Sequence, residues 1–125
     1  MQEYNFFLDG IAEQKDKIIS SINEHGFYLH QDDKCVYTVG MSCVGFPELL
    51  MYNQSLESAD EIFSDIYCGV KHDKMASIKE FIENNPFSRL IGFEPLSDTT
   101  KQSLLWSARL FLESWNFDVV ELKTN

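Results

Sequence analysis

Between Lys34 and Lys71 the chain has no lysine or arginine, while Glu48, Glu57, Asp60, Glu61 and Asp65 all fall inside that interval. Basic residues are scarce throughout, ten against twenty acidic ones, for a formal net charge of -10. A field of that sign repels phosphate backbones at long range, so direct nucleic-acid binding is disfavoured and a basic protein partner would be steered toward this half of the molecule. Long apolar runs are missing as well. No stretch approaches the ~18 to 20 apolar residues that a membrane span requires. The first ten residues, MQEYNFFLDG, lack the basic region that precedes the apolar core of a secretory leader. A cytoplasmic protein without membrane attachment is expected.

Cysteine is sparse and unpaired in pattern. Cys35, Cys43 and Cys68 are an odd number, eight and twenty-five residues apart, which fits neither an extracellular disulfide framework nor a zinc motif. Reduced thiols filling small core positions are the expectation. His25, His30 and His72 form no His-x-x-x-His pair and flank no Cys-x-x-Cys, so no metal and no cofactor is expected. The chain also lacks a Gly-x-Ser-x-Gly elbow, a Gly-x-x-x-x-Gly-Lys loop, a Gly-x-Gly-x-x-Gly turn and a His-Glu-x-x-His helix. Four common designs of catalytic site are thereby absent.

What the chain does contain is enough apolar material for one core. At 125 residues, 44 % of them hydrophobic and 14 % aromatic, and with no segment of linker composition, residues 1–125 read as a single domain. Leu8, Ile11, Ile18, Ile19 and Ile22 recur at helical spacing and predict a helix from about Asn5 to His25, with Gly26 as its left-handed cap. Phe27–His30 and Cys35–Met41 predict a hairpin across Gln31-Asp32-Asp33-Lys34. In the second strand Cys35, Tyr37 and Val39 alternate with Val36 and Thr38, and because both faces are apolar that strand is expected in the sheet interior.

Pro47 cannot donate to a ladder, so Glu48–Asn53 begins a strand behind it. Ser58-Ala59-Asp60-Glu61 has the spacing of a capping box, and Ala59, Ile62, Phe63, Ile66, Tyr67 and Val70 follow as an apolar stripe that predicts a buried helix face. A shorter helix near Asp73–Glu83, carrying Met75, Ile78, Phe81 and Ile82, stops at Asn84-Asn85-Pro86. A strand follows over Ser88–Leu96. A helix with Leu104, Leu105, Ala108, Phe111, Leu112 and Trp115 on one side leads to a last strand, Phe117–Lys123. The sum is an α+β domain, a mostly antiparallel sheet of four or five strands packed against three or four helices.

The segment Val36–Leu50, VYTVGMSCVGFPELL, carries the most specific pattern. A strand ends in glycine, and after a short loop Pro-Glu opens a second apolar run. This layout resembles the bacterial domain-of-unknown-function family 4262, whose members have a YTVGL-like strand followed by an HPEL-like segment. The resemblance extends to His25-Gly26-Phe27-Tyr28, to Ser58–Val70 and to Leu105–Lys123, about Asn23 to Lys123 in all. It implies an architecture and no activity. Phe46 stands where the family usually has histidine, and the chain ends at Asn125 where members often continue into a Trp-Pro-Asp-type tail. An activity resting on either feature is expected to be missing here.

Two sets of residues remain as candidates for function. Cys43, His30 and Glu48, with Tyr37 and Thr38 nearby, could supply a nucleophile, its base and an orienting carboxylate if they met within hydrogen-bond reach. Glu57, Asp60, Glu61 and Asp65 form an acidic face opposite the apolar stripe, a docking surface for a basic protein. The acidic face leads, and the expected class is a small inhibitory or immunity-type module that binds a nucleic-acid-handling protein. An enzyme built on Cys43, His30 and Glu48 is the alternative, and a small-ligand domain using a groove beside Gly40 and Gly45 a third.

Overall fold

In the computed structural model, which describes residues 2–72, 77–85 and 90–124 and the side chains of 13 onward among them, five strands form one sheet with helices on both faces. The elements run α1 (Gln2–His25), β1 (Tyr28–Gln31), β2 (Cys35–Val39), a 3-10 turn (Met41–Val44), β3 (Glu48–Tyr52), α2 (Leu56–His72), α3 (Ile78–Asn84), β4 (Leu90–Pro95), α4 (Asp98–Leu104), α5 (Trp106–Leu112) and β5 (Val119–Thr124). Strand order is β1-β2-β3-β5-β4, antiparallel except for the parallel pair β3/β5. The fold is α+β. The side chains of Leu8 and Ile11, and Met75, Pro86 and Ser88 altogether, lie outside the described residues.

Strand alternation sorts the core into two layers. Val36, Leu49 and Met51 face Ala59, Ile62, Phe63 and Ile66 of α2 and Ile78 and Phe81 of α3. Cys35, Tyr37, Val39 and Leu50 face the other way, toward Ile18 of α1 and Leu105 and Ala108 around the start of α5. All five residues of β2 are buried, as expected of an interior strand with helices on both sides. Tyr67 and Val70 are only half-buried at the margin of their layer, so the expected stripe on α2 is narrower than drawn. α1 ends where Gly26, at φ +96, donates its N–H to the Ile22 carbonyl, and the Tyr67 ring occupies the space that any Cβ there would need.

Several boundaries depart from the sequence reading for local reasons. The helix expected near Asp73–Glu83 is α3, Ile78–Asn84, because Ser77 is extended and caps it by accepting from Glu80 N–H. α2 starts three residues early because Ser55, not Ser58, is the cap: its Oγ accepts from Ser58 N–H at 3.1 Å and its carbonyl from Ala59 N–H. The helix expected over Leu104–Trp115 is the shorter α5, Trp106–Leu112, set off from a preceding helix, α4, at Leu105, whose φ of -97 and ψ of 49 are not helical. α4 was not anticipated, since Asp98–Leu104 has no apolar period; Ser97 starts it by accepting from Thr100 N–H. Among the described residues there are thus five α-helices rather than three or four.

Candidate functional site

The β2–β3 connection is built around one carboxylate. Gly40 turns the chain with a φ of +118, which aims the successive N–H groups of Gly40, Met41 and Ser42 inward. Glu48, fully buried behind Pro47, receives all three at 3.0 to 3.1 Å, together with the Thr38 hydroxyl at 2.8 Å and the Ser42 hydroxyl at 2.6 Å. Thr38 Oγ1 in turn accepts from Leu49 N–H, joining the cradle to the β2/β3 pair. Burial pushes the Glu48 carboxyl up from its ordinary value, and the hydrogen bonds from Ser42, Thr38 and Gly40 pull it back. Both carboxylate oxygens are consumed by the turn, so this side chain holds backbone in place and has no reach toward a substrate.

Neither Cys43 nor His30 is among the Glu48 partners. His30 sits opposite Tyr37, which sits opposite Leu50 on β3, so it lies two strand spacings from β3, about 10 Å. Its ring lies 4.9 Å from that of Tyr37, and its Nδ1 is 3.1 Å from the hydroxyl of Ser107. Ser107 also accepts from Gln14 and gives its N–H to the Tyr37 hydroxyl, a polar strut between α1, α5 and the sheet. Burial lowers the His30 pKa, with Asp32 opposing. Cys43 is exposed in the 3-10 turn, and burial together with the Glu48 charge pushes its thiol up, the reverse of an activated nucleophile. The structure therefore assembles no chain from cysteine through histidine to carboxylate. Of the two glycines beside which a ligand groove was expected, Gly40 is packed against Ile22, whereas nothing lies within 4 Å of a Cβ built at Gly45.

The cysteines differ from expectation in placement: Cys35 is buried, whereas Cys43 and Cys68 are exposed, because Cys68 lies on the outer face of α2 and Cys43 on the turn. Among the described residues, no group of three or more His, Cys, Asp or Glu side chains is arranged to hold a metal, and no helix is long and apolar enough to cross a membrane.

A second buried charge escaped the sequence reading. Lys101 of α4 donates from Nζ to the carbonyls of Trp115 and Phe117, both at 2.9 Å, and lies over the Phe117 ring. It ties the irregular 113–118 segment to α4 so that β5 can enter the sheet. A lysine three residues after an acidic helix start offers no pattern from which this could have been read.

The α2 carboxylates lie in different surroundings. Glu57, Asp60, Glu61 and Asp65 are exposed, and among the described residues none is in an ion pair; the ion pairs present use Lys15, His25, Lys101 and Lys123. The Ser64 hydroxyl donates to Asp60 at 3.1 Å. The earlier helix start leaves Glu57 in the first turn and moves Asp60 and Glu61 beyond it, so only Glu57 gains from the helix dipole as expected. The face also divides: Asp60 borders a cavity against α1 and β1, whereas Asp65 borders one against α3. Burial and then the neighbouring Glu61 raise the Asp65 pKa.

Comparison with known proteins finds no matching family model, no matching curated protein and no matching solved structure.

Proposed function

We propose that this protein is a small cytoplasmic protein-binding module of inhibitory or immunity type, whose α2 carboxylates engage a basic, nucleic-acid-handling protein. One observation carries the reading: Glu57, Asp60 and Glu61 stand together on an exposed helix face, and among the described residues no cation pairs with them. Like charges four apart on a helix cost ~0.2 to 0.5 kcal/mol per pair, a small standing penalty that an incoming basic surface would relieve. Such a surface raises the rate of encounter with a positive partner and rejects negative ones. The resemblance to family 4262 adds no activity to this reading.

The test compares three baits in lysate from the native host: the wild-type chain, the variant E57Q/D60N/E61Q, and a control with the same charge change elsewhere, D33N/E83Q/D118N. The expected result is one basic protein recovered by wild type and control and lost with the α2 variant. Equal recovery by all three would refute the acidic face as the binding surface.

A further inference from the structure

The free edge of β1 lies beside that acidic face. β1 is the terminal strand of the sheet, paired on one side with β2. The Asp32 N–H bonds to the Cys35 carbonyl, which closes the hairpin, and backbone direction alternates along an antiparallel pair. His30 and Tyr28 therefore turn their N–H and C=O groups to β2, and Leu29 and Gln31 turn theirs outward. Along this edge runs a cavity of ≈ 750 Å³ between the end of α1 and α2, with Ser21, Glu24 and His25 on one wall, Leu29 on the floor, and Asp60 and Tyr67 on the other wall. Glu57 falls within the arc of α2 that lines this groove, and Glu61 on its border.

The opposite edge of the sheet carries blocking devices that this short, four-residue edge lacks. β4 has a register shift between Leu90 and Gly92, ends in Pro95, and is crossed by the Glu94–Lys123 pair. Bulges, prolines and lysines are the usual means of stopping edge-to-edge pairing. Tyr28–Gln31 contains no bulge, no proline and no lysine. Charge decides what can occupy it. A second copy of this chain would bring a net -10 and another acidic α2 against the first, whereas among the described residues Lys17 is the one lysine or arginine lining the groove.

We propose that the β1 edge accepts an extended, lysine- or arginine-bearing segment of the partner as a sixth strand, held by the outward backbone groups of Leu29 and Gln31 and flanked by Glu24, Glu57 and Asp60. This inference rests on the proposed function above and specifies how the partner is gripped. Backbone pairing would supply affinity, and the acidic wall would select the charge of the outward side chains.

The probe is an octapeptide alternating lysine with valine, compared with one of equal charge in which prolines replace the valines and prevent strand pairing. Wild type is expected to bind the first at least tenfold more tightly than the second, with exchange of the Leu29 and Gln31 amides slowed at least tenfold in the complex. Gln31→Pro removes one outward N–H at an exposed position while leaving the β1/β2 ladder intact, and should weaken binding at least tenfold. If that variant fails to fold, the amide exchange of wild type decides alone. Equal affinity for the two peptides, or unprotected amides at Leu29 and Gln31, would overturn strand addition while leaving the acidic-face reading standing. Unchanged binding by E57Q/D60N/E61Q would instead overturn the reading on which it rests. Dimerisation of the free chain through β1 would overturn the choice of occupant.

Discussion

Glu48 and the α2 carboxylates place the same functional group in opposite surroundings. Glu48 is fully buried, and its two oxygens accept from three backbone amides and two hydroxyls within ten residues of chain. Glu57, Asp60 and Glu61 are exposed, without an ion pair among the described residues and with a single hydroxyl donor between them. A carboxylate whose acceptor capacity is exhausted by its own fold is a structural part, however chemical its neighbourhood looks in sequence. Lys101 obeys the same rule with the sign reversed, its ammonium donating to two backbone carbonyls. The carboxylates that fold leaves unmatched are the ones free to meet another molecule.

The largest effect should come from emptying the Glu48 cradle. Glu48→Ala leaves the Gly40, Met41 and Ser42 amides without their acceptor in a buried turn and should cost about 3 to 5 kcal/mol in urea unfolding. A loss under about 1 kcal/mol would mean that the cradle does not hold the turn. Next, Lys101→Met keeps the apolar stem but strands the Phe117 carbonyl and leaves the Trp115 carbonyl only the Phe117 N–H, and should cost about 2 kcal/mol. An unchanged urea midpoint would remove the parallel with Glu48.

Glu48→Gln is milder, about 1 to 3 kcal/mol, because the amide supplies one acceptor oxygen and turns a donor toward Thr38 and Met41. It also isolates the pH dependence. Since burial raises the folded-state pKa of Glu48, the unfolded chain releases its proton first as pH rises, and ionisation works against the folded state. The stability of wild type relative to Glu48→Gln should therefore fall as pH rises from the ordinary value of 4.5 through the raised folded one, then level off. A relative stability that climbs with pH over that window would show that the five hydrogen bonds outweigh burial.

How much of this was legible in the sequence follows from what each feature depends on. The apolar stripe on α2, the β1–β2 hairpin and the interior place of β2 are written in side-chain periodicity, and the structure has them. The Glu48 cradle depends on backbone amides aimed by a positive φ at Gly40, so side-chain spacing marked Glu48 as a site residue only in the alternative, enzymatic reading and could not name its partners. The parallel β3/β5 pairing joins strands far apart in sequence, which no local pattern records. The break at Leu105 falls inside an unbroken apolar period, where tertiary packing overrides a helical repeat. The acidic face was visible by spacing, but its division between two cavities required the positions of β1 and α3.

On the other side of the comparison, E57Q/D60N/E61Q should leave stability within about 0.5 kcal/mol of wild type. Relief of like-charge repulsion and loss of the favourable Glu57 interaction with the helix dipole are each of that size and oppose one another.

The most direct test of the division between inward and outward carboxylates is the association rate of the lysine–valine peptide with wild type and with E57Q/D60N/E61Q, followed by stopped flow as salt is raised through ~0.1 M, where the screening length is ~10 Å. Wild type should associate faster at low salt and slow steeply as salt rises, and the variant should be slower with a flatter dependence. Equal rates with equal salt dependence, in a variant shown to be folded, would contradict the account and turn attention to the exposed side of the Val36–Leu50 segment.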